Sequence, residues 1–246
     1  MIWIFPMAGR GSRTQTLGAF KPFIEIGGRK VIEWLLVSIR RHILPEDELV
    51  FITTESFAAE YEVESQLAEM LDAIVPGRPF HLVTCPTTPP GPSASVYAAR
   101  NHFDNPLPAA VVNCDQFIDF ERFEWTSQRQ GFLPVYANFG SRSSYVEIRD
   151  GRIVRVVEKQ NISNLASAGV YALSCGRALR EALEMQFEKG PKTGEEYYVG
   201  PAFNYLIERG YELIPTAVRA KYDLGCVEGI ERFQKTWMCE TGIKVL

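Results

Sequence analysis

A loop near the amino terminus brings together two glycines and two cations. Gly9 and Gly11 follow an apolar run at 2–5 that reads IWIF, and Arg13 and Lys21 come after them. The run is short, is rich in β-branched and aromatic residues and is followed by a proline, which predicts a buried strand. Glycines let the backbone approach a ligand closely, so successive N–H groups can turn toward an anion. The loop is therefore a candidate phosphate-binding site.

Two well-known phosphate motifs do not fit this loop. The spacing G-x-x-x-x-G-K-[ST] of a P-loop is absent, and the dinucleotide fingerprint fails because no third glycine follows Gly11 at the required distance. A plain strand-to-helix turn with solvated cations explains the two glycines equally well. The rest of the chain has to decide between the two interpretations.

The pattern G-x-G-x-R followed by Lys21-Pro22 resembles the signature of the sugar-phosphate nucleotidyltransferases, the nucleotide-sugar pyrophosphorylases. Two positions depart from that signature: Ala8 stands for a glycine and Thr14 for a leucine. The resemblance implies that the loop backbone cradles the phosphates of a nucleoside triphosphate, that Arg13 stabilises the pyrophosphate leaving group and that Lys21 positions the α-phosphate. It assigns nucleotide binding to six small residues: Ala8, Gly9, Gly11, Ser12, Gly91 and Ser93.

Two aspartates far apart in the sequence are candidate metal ligands. Asp115 and Asp223 each follow an apolar run, so in a mainly parallel sheet both would project from the same edge. The segment 111–115 resembles the family's strand ending in Gly-Asp, with Cys114 in place of the glycine, and the segment 221–225 resembles its Asp-x-Gly setting. The resemblance implies that the two carboxylates hold Mg²⁺, an ion that prefers oxygen ligands.

The second half of the chain carries motifs that resemble the family's acceptor site. Glu158-Lys159-Gln160 resembles Glu-Lys-Pro except at Gln160, and the segment 168–171, AGVY, resembles the family's Ala-Gly-x-Tyr strand. The resemblance implies that Lys159 binds the phosphate of the acceptor. Glu196 precedes a predicted helix, where it could reach sugar hydroxyls, although the helix dipole explains an acidic residue there as well. The acceptor-binding set is Glu158, Lys159, Gly169, Tyr171 and Glu196.

Strands alternate with helices through the first half. Predicted strands at 2–5, 49–53, 80–85 and 109–113 are separated by predicted helices at 30–41, 56–74 and 93–103, the last with Ser93 as N-cap. Such alternation indicates right-handed βαβ units and a mainly parallel sheet. Asp150-Gly151 between two alternating runs predicts an antiparallel hairpin.

With the resemblance, these patterns predict an α/β fold: a Rossmann-like three-layer αβα sandwich with a mainly parallel mixed sheet and a small antiparallel acceptor-binding subregion. We expect one catalytic domain over 1–246, with a nucleotide-binding half at about 1–120 and an acceptor-binding half at about 121–246. The resemblance runs from 2 to about 233, which leaves no segment for the extra domains that longer members append.

Composition narrows the class of protein. The chain has 246 residues, 46% of them hydrophobic, and a net charge of −4, which argues against a general nucleic-acid surface. Its five cysteines are scattered without a C-x-x-C pair, and no apolar run is long enough to span a membrane. These features predict a cytoplasmic protein with free thiols, without a membrane or nucleic-acid partner.

The sequence therefore indicates a Mg²⁺-dependent nucleotidyltransferase of nucleotide-sugar or polysaccharide biosynthesis. It would join a nucleoside triphosphate to a phosphorylated small molecule, with a sugar 1-phosphate as the favoured acceptor, and release pyrophosphate. Two alternatives stay open: a cytidylyltransferase acting on a non-sugar phosphate, and a catalytically inactive nucleotide-binding regulator with the same fold. The nucleotide base and the oligomeric state are not decided by the sequence, and a homo-oligomer is one option.

Overall fold

The computed structural model describes residues 1–9, 20–190 and 192–239. Thirteen strands lie in these ranges: β1 Ile2–Pro6, β2 Glu25–Ile26, β3 Arg29–Lys30, β4 Glu48–Thr54, β5 Phe80–Cys85, β6 Ala109–Val112, β7 Gln116–Phe120, β8 Gly131–Ala137, β9 Ser144–Arg149, β10 Arg152–Glu158, β11 Leu165–Ser167, β12 Val170–Leu173 and β13 Leu213–Asp223. The α-helices of the same ranges are α1 Val31–Ile39, α2 Glu55–Glu60, α3 Val63–Ile74, α4 Pro92–Ala98, α5 Arg100–Phe103, α6 Gly176–Lys189, α7 Val199–Glu208 and α8 Val227–Phe233. Short 3₁₀ turns lie at Lys21–Phe23 and Arg40–His42, and a π-helical turn follows α8 at Gln234–Met238.

Eleven strands form one mixed sheet in the order β5-β4-β1-β6-β12-β8-β11-β9-β10-β13-β7. The four strands β5, β4, β1 and β6 pair in parallel, as the βαβ alternation predicts. From β12 onward neighbouring strands run antiparallel, and β13 also pairs in parallel with β8. The α/β fold class with a parallel core is therefore confirmed, and the antiparallel part extends over more than half of the strands.

The side chains of strand β1 show how helices cover both faces of the sheet, which gives three layers. Its alternate side chains point to opposite faces of the sheet: Trp3 and Phe5 pack with α1 and α3 on one face, and Ile2 and Ile4 pack with α4 to α7 on the other. All four side chains are almost completely buried. A run that is apolar on both faces is what a central parallel strand requires.

Some element boundaries differ from the prediction for local reasons. The helix expected over 56–74 is divided into α2 and α3, because Glu62 takes a left-handed conformation with φ 46° and Tyr61 packs on Phe20. Strand β2 begins at Glu25, shortly after the 3₁₀ turn that Pro22 favours. The N-cap of α4 is Gly91 rather than Ser93. The hairpin turn at Asp150-Gly151 is confirmed between β9 and β10.

In the described ranges, no helix is both long enough and apolar enough to cross a membrane.

A buried histidine gives the fold a predicted pH dependence. The ring of His42 stacks on Phe120 at 4.2 Å between centroids. Burial, reinforced by the charges of Arg41 and Arg122, lowers the pKa of His42 to about 4. An unfolded histidine titrates near 6.5, so the neutral ring stabilises the fold fully above about pH 6.5, and this stability is lost as the pH falls toward 4.

We expect His42 to lower the free energy of unfolding by at most about 3 kcal/mol as the pH falls from about 6.5 to about 4. Urea unfolding of the native protein and of a His42→Phe variant between neutral and acidic pH measures it. The aromatic replacement keeps the stacking partner but should lose this part of the pH dependence. The same decline in both proteins would show that His42 is not its source.

Candidate active site

One cavity, which we call the cleft, is lined by most of the described site residues. A cavity of about 1120 Å³ opens where Met7 and Gly9, the carboxyl end of β6 and the strands β9 to β12 meet. The site residues that line it are Gly9, Lys21, Gly91, Asp115, Glu158, Lys159, Gly169, Tyr171, Glu196 and Asp223. Ala8 and Ser93 do not line it, and both side chains are almost completely buried. Gly11, Ser12 and Arg13 lie outside the described residues.

The two aspartates converge on Gly225. A Cβ atom built on Gly225 would lie 2.4 Å from Asp115 Oδ2 and 3.0 Å from Asp223 Oδ1. The Gly225 N–H donates to Asp223 Oδ1 at 2.8 Å, and the Leu224 N–H donates to the Asp115 carbonyl at 2.8 Å. Both carboxylates are thus held at one point in the cleft.

The strand pairing that brings them there differs from the prediction. Asp115 does follow the parallel strand β6, but Asp223 ends β13, which runs antiparallel to β7. In that ladder Asp223 lies opposite Gln116, the neighbour of Asp115. The aspartates therefore meet because an antiparallel partner returns to the turn between β6 and β7, and not because both strands belong to the parallel part.

Lys21 joins the same cluster from the 3₁₀ turn. Its Nζ lies 3.0 Å from Asp115 Oδ2, and its side chain is only 14% exposed. Behind the cluster, burial and the Asp115 charge raise the pKa of the Cys114 thiol well above its usual value. Cys114 is therefore a neutral, packed side chain at pH 7.

These residues fit a divalent cation of the magnesium type. Two carboxylates that meet at one point supply hard oxygen ligands, and phosphate oxygens and water commonly complete the coordination of Mg²⁺. Nowhere in the described ranges do three or more His, Cys, Asp or Glu side chains form a metal-binding group. Any cation in the cleft would therefore rely on Asp115 and Asp223 together with ligand oxygens.

Lys159 also lines the cleft, in a left-handed conformation with φ 55°. Its Nζ donates to the Tyr198 hydroxyl, lies 4.4 Å from the centre of that ring and lies 4.0 Å from Glu196 Oε2. Its side chain is 43% exposed, so the ammonium group remains accessible from the cleft.

A buried hydrogen-bonded chain forms the floor beside Lys159. Tyr171 donates to Ser144 Oγ at 3.2 Å, and Ser144 donates to the buried carboxylate of Glu158. Burial, followed by the nearby Glu158 charge, raises the pKa of Tyr171 to about 12, so this phenol stays protonated. Gly169 takes φ 75°, and a Cβ there would lie 2.7 Å from Asn113 Nδ2, so the close approach requires glycine.

The proline-rich turn before α4 is hydrogen-bonded to the segment that precedes α7. Gly91 takes φ 99°, where a Cβ would lie 2.5 Å from the Tyr197 carbonyl oxygen. The Ser93 N–H donates to that same carbonyl at 3.0 Å, and the Tyr197 N–H donates to the Pro90 carbonyl at 2.9 Å. Gly91 and the segment around Glu196 are therefore adjacent walls of one cleft.

Several cleft residues were missed by the sequence analysis. Lys221 lines the cleft, with its Nζ 5.0 Å from the centre of the Tyr136 ring. Strand periodicity could have found it, because residues two apart on a strand share a face and Asp223 is two positions on. Gln116, which donates to the Gly169 carbonyl at 3.3 Å, and Arg142 carried no comparable signal.

Comparison with known proteins agrees with this fold. Residues 4–125 match the MobA-like NTP transferase domain. A search of curated proteins found no significant match. The nucleoside-diphosphate-sugar pyrophosphorylase from Vibrio cholerae RC9 superimposes with a TM-score of 0.80 at 21% identity, over 96% of this chain and 100% of that one.

Two further structures share the fold. A UDP-glucose pyrophosphorylase complexed with UDP-glucose has a TM-score of 0.76 at 17% identity, over 97% of this chain and 98% of that one. The CTP:phosphocholine cytidylyltransferase from Streptococcus pneumoniae has a TM-score of 0.70 at 11% identity, over 96% of this chain and 99% of that one. Over residues 4–125 the chain is therefore similar to the MobA-like NTP transferase domain, and the whole chain has the fold of the nucleotide-sugar pyrophosphorylases.

Proposed function

We propose that the protein transfers a nucleotidyl group from a nucleoside triphosphate to a phosphorylated small molecule, in the presence of Mg²⁺, and releases pyrophosphate. A sugar 1-phosphate is the acceptor that we favour. The observation that carries the proposal is the convergence of Asp115 and Asp223 at Gly225, with Lys21 paired to Asp115, in a cleft that Lys159 also lines.

The reaction requires geometry and charge more than covalent chemistry. The acceptor phosphate is already an anion, so no general base is needed, and rate enhancement comes from alignment and from charge stabilisation. Lys21 would position the α-phosphate, and Arg13 would stabilise the leaving pyrophosphate. The backbone of the loop that contains Ala8, Gly9, Gly11 and Ser12 would bind the phosphates, with the Gly91–Ser93 turn against the base and ribose.

Asp115 and Asp223 would hold the metal ion. Bound Mg²⁺ would neutralise charge on the triphosphate and help to orient it. In its absence Lys21 already offsets part of the charge on Asp115, which accounts for how two carboxylates can lie so close together.

The part of the cleft around Lys159 favours a hydroxyl-rich acceptor. Glu158, Glu196 and Tyr198 line this part and can exchange hydrogen bonds with sugar hydroxyls. Lys159 would bind the acceptor phosphate, and Gly169 and Tyr171 would shape the floor.

A cationic non-sugar phosphate is the second candidate, because Tyr198 beside Glu196 is a pairing that suits quaternary ammonium groups. Lys159 Nζ lies over that ring, 4.4 Å from its centre, so a cationic acceptor would have to displace it. This contact is our reason for ranking the sugar phosphate first.

A substrate panel tests the proposal. The protein is incubated with Mg²⁺, with each common nucleoside triphosphate in turn and with sugar and non-sugar phosphates, and pyrophosphate is measured. We expect release that depends on the acceptor and is strongest with one sugar 1-phosphate. Preference for a choline-type phosphate would select the second candidate. Nucleotide binding without release in any combination would indicate an inactive regulator.

Replacing Lys159 should affect the two substrates unequally. We expect Lys159→Gln to raise KM for the acceptor by about tenfold, since a charge-assisted contact with phosphate is lost, and to leave KM for the nucleotide nearly unchanged. Lys235→Gln removes a lysine whose side chain is 75% exposed and serves as the matched control. A defect confined to the nucleotide would place Lys159 in the wrong half of the cleft.

A further inference from the structure

A second cavity, of about 630 Å³, lies on a different part of the molecule. Four arginines line it, Arg41, Arg122, Arg129 and Arg219, and we call it the arginine cavity. It shares no lining residue with the cleft. Strand β13 reaches both cavities: Thr216, Ala217 and Arg219 line the arginine cavity, and Lys221 and Asp223 line the cleft. The two cavities are therefore neighbouring along this strand but have separate linings.

The arginine cavity has more positive than negative charge. Its lining contains two carboxylates against the four guanidinium groups. Arg129 Nη1 lies 3.2 Å from Glu124 Oε2, and Arg219 Nη2 lies 4.0 Å from Glu121 Oε1, which is a weak contact. Arg41 pairs with Asp119.

Arg122 has a different environment from the other three. It donates from Nη2 to the Arg41 carbonyl at 2.7 Å and makes no ion pair with any described residue. Arg41 and Arg122 also help to lower the pKa of His42, the direction expected where positive charge is in excess. The chain as a whole is acidic, with a net charge of −4, so this concentration of arginines is local.

Strand β13 is irregular where it lines the arginine cavity. Its pairing with β7 shifts between Val218 and Ala220, at Arg219, and such a bulge redirects a side chain. Thr216 and Ala217 of the same strand also line the cavity. The irregularity therefore lies at the one arginine of this strand that lines the cavity.

We propose that the arginine cavity binds a phosphorylated small molecule that carries at least two negative charges. Guanidinium groups form forked hydrogen bonds that match phosphate oxygens. The volume suits a molecule of nucleotide size. Phe132, Ile214 and Pro215 form an apolar wall for the part of the molecule that has no charge. The proposal is independent of the chemistry in the cleft.

Calorimetric titration of the full chain tests it, with inorganic pyrophosphate and with each nucleoside triphosphate as probes. We expect two binding events. The Arg122→Gln, Arg219→Gln double variant should weaken one of them by about tenfold or more, and Lys21→Gln should weaken only the other. Arg177→Gln, at an exposed arginine outside both cavities, is the matched control.

If Lys21→Gln abolished all binding and the arginine variant changed none of it, the proposal would be overturned. The proposed function would not be affected by that result. Sedimentation gives a second check. If the arginine variant changed the molecular mass in solution without changing any binding event, the arginines would belong to an interface between copies, and the proposal would again be overturned.

Discussion

The Asp223→Asn variant is expected to lose Mg²⁺-dependent pyrophosphate release by about a hundredfold or more while remaining folded. Asparagine keeps an oxygen that can accept the Gly225 N–H, which donates to Asp223 at 2.8 Å, so the local turn should survive. What disappears is the negative charge that would hold the metal ion. Asp115→Asn should behave in the same way, because its carboxylate meets that of Asp223 at Gly225.

The measurement is the pyrophosphate assay at saturating substrates, with circular dichroism to confirm folding. Asp150→Asn is the matched control, since Asp150 lies in the β9–β10 turn at φ 49°, a conformation that asparagine tolerates, outside the cleft. Full activity in either cleft variant would exclude the two-aspartate metal site.

The Gly225→Ala variant should be almost as damaging, although it changes no charge. Gly225 is not among the residues with positive φ, so alanine adds only a methyl group to an allowed backbone. That methyl group would lie 2.4 Å from Asp115 Oδ2 and 3.0 Å from Asp223 Oδ1, so the carboxylates must move apart. Displacing ligating groups by about 1 Å can cost on the order of a hundredfold in rate.

We expect Gly225→Ala to need more Mg²⁺ for half-maximal activity as well. Gly151→Ala is the control, because Gly151 has φ 74° and nothing within 4 Å of a built Cβ, so it tests the loss of glycine freedom alone. That control should lose some stability and keep its metal dependence. If Gly225→Ala kept native activity, the reaction would not depend on the two carboxylates meeting at Gly225.

The sequence predicted the parallel half of the sheet well because its signals are local. An apolar run such as that of β1 can be buried only between two helical layers, and its alternating side chains enter both cores. Strand β7 was missed because it follows Asp115 immediately, with no turn signal to separate the two. Helix α8 was missed as well, since its seven residues are too few to show a clear period.

The candidate site was predictable only in part. A resemblance pointed to Asp115 and Asp223, but the antiparallel β7–β13 pairing that joins them depends on contacts between residues a hundred positions apart in the sequence. The arginine cavity gave no sequence signal at all. Arg41, Arg122 and Arg219 come from separate elements, and only the folded chain brings them together.

The most direct test of nucleotidyl transfer follows two labels through one reaction. The native protein is incubated with Mg²⁺, an acceptor phosphate and nucleoside triphosphate radiolabelled at either the α- or the γ-phosphate. Nucleotidyl transfer predicts that the α label enters the acceptor-linked product and the γ label leaves as pyrophosphate, in equal amounts. Transfer of the γ label to the acceptor, or pyrophosphate release that does not depend on the acceptor, would contradict it.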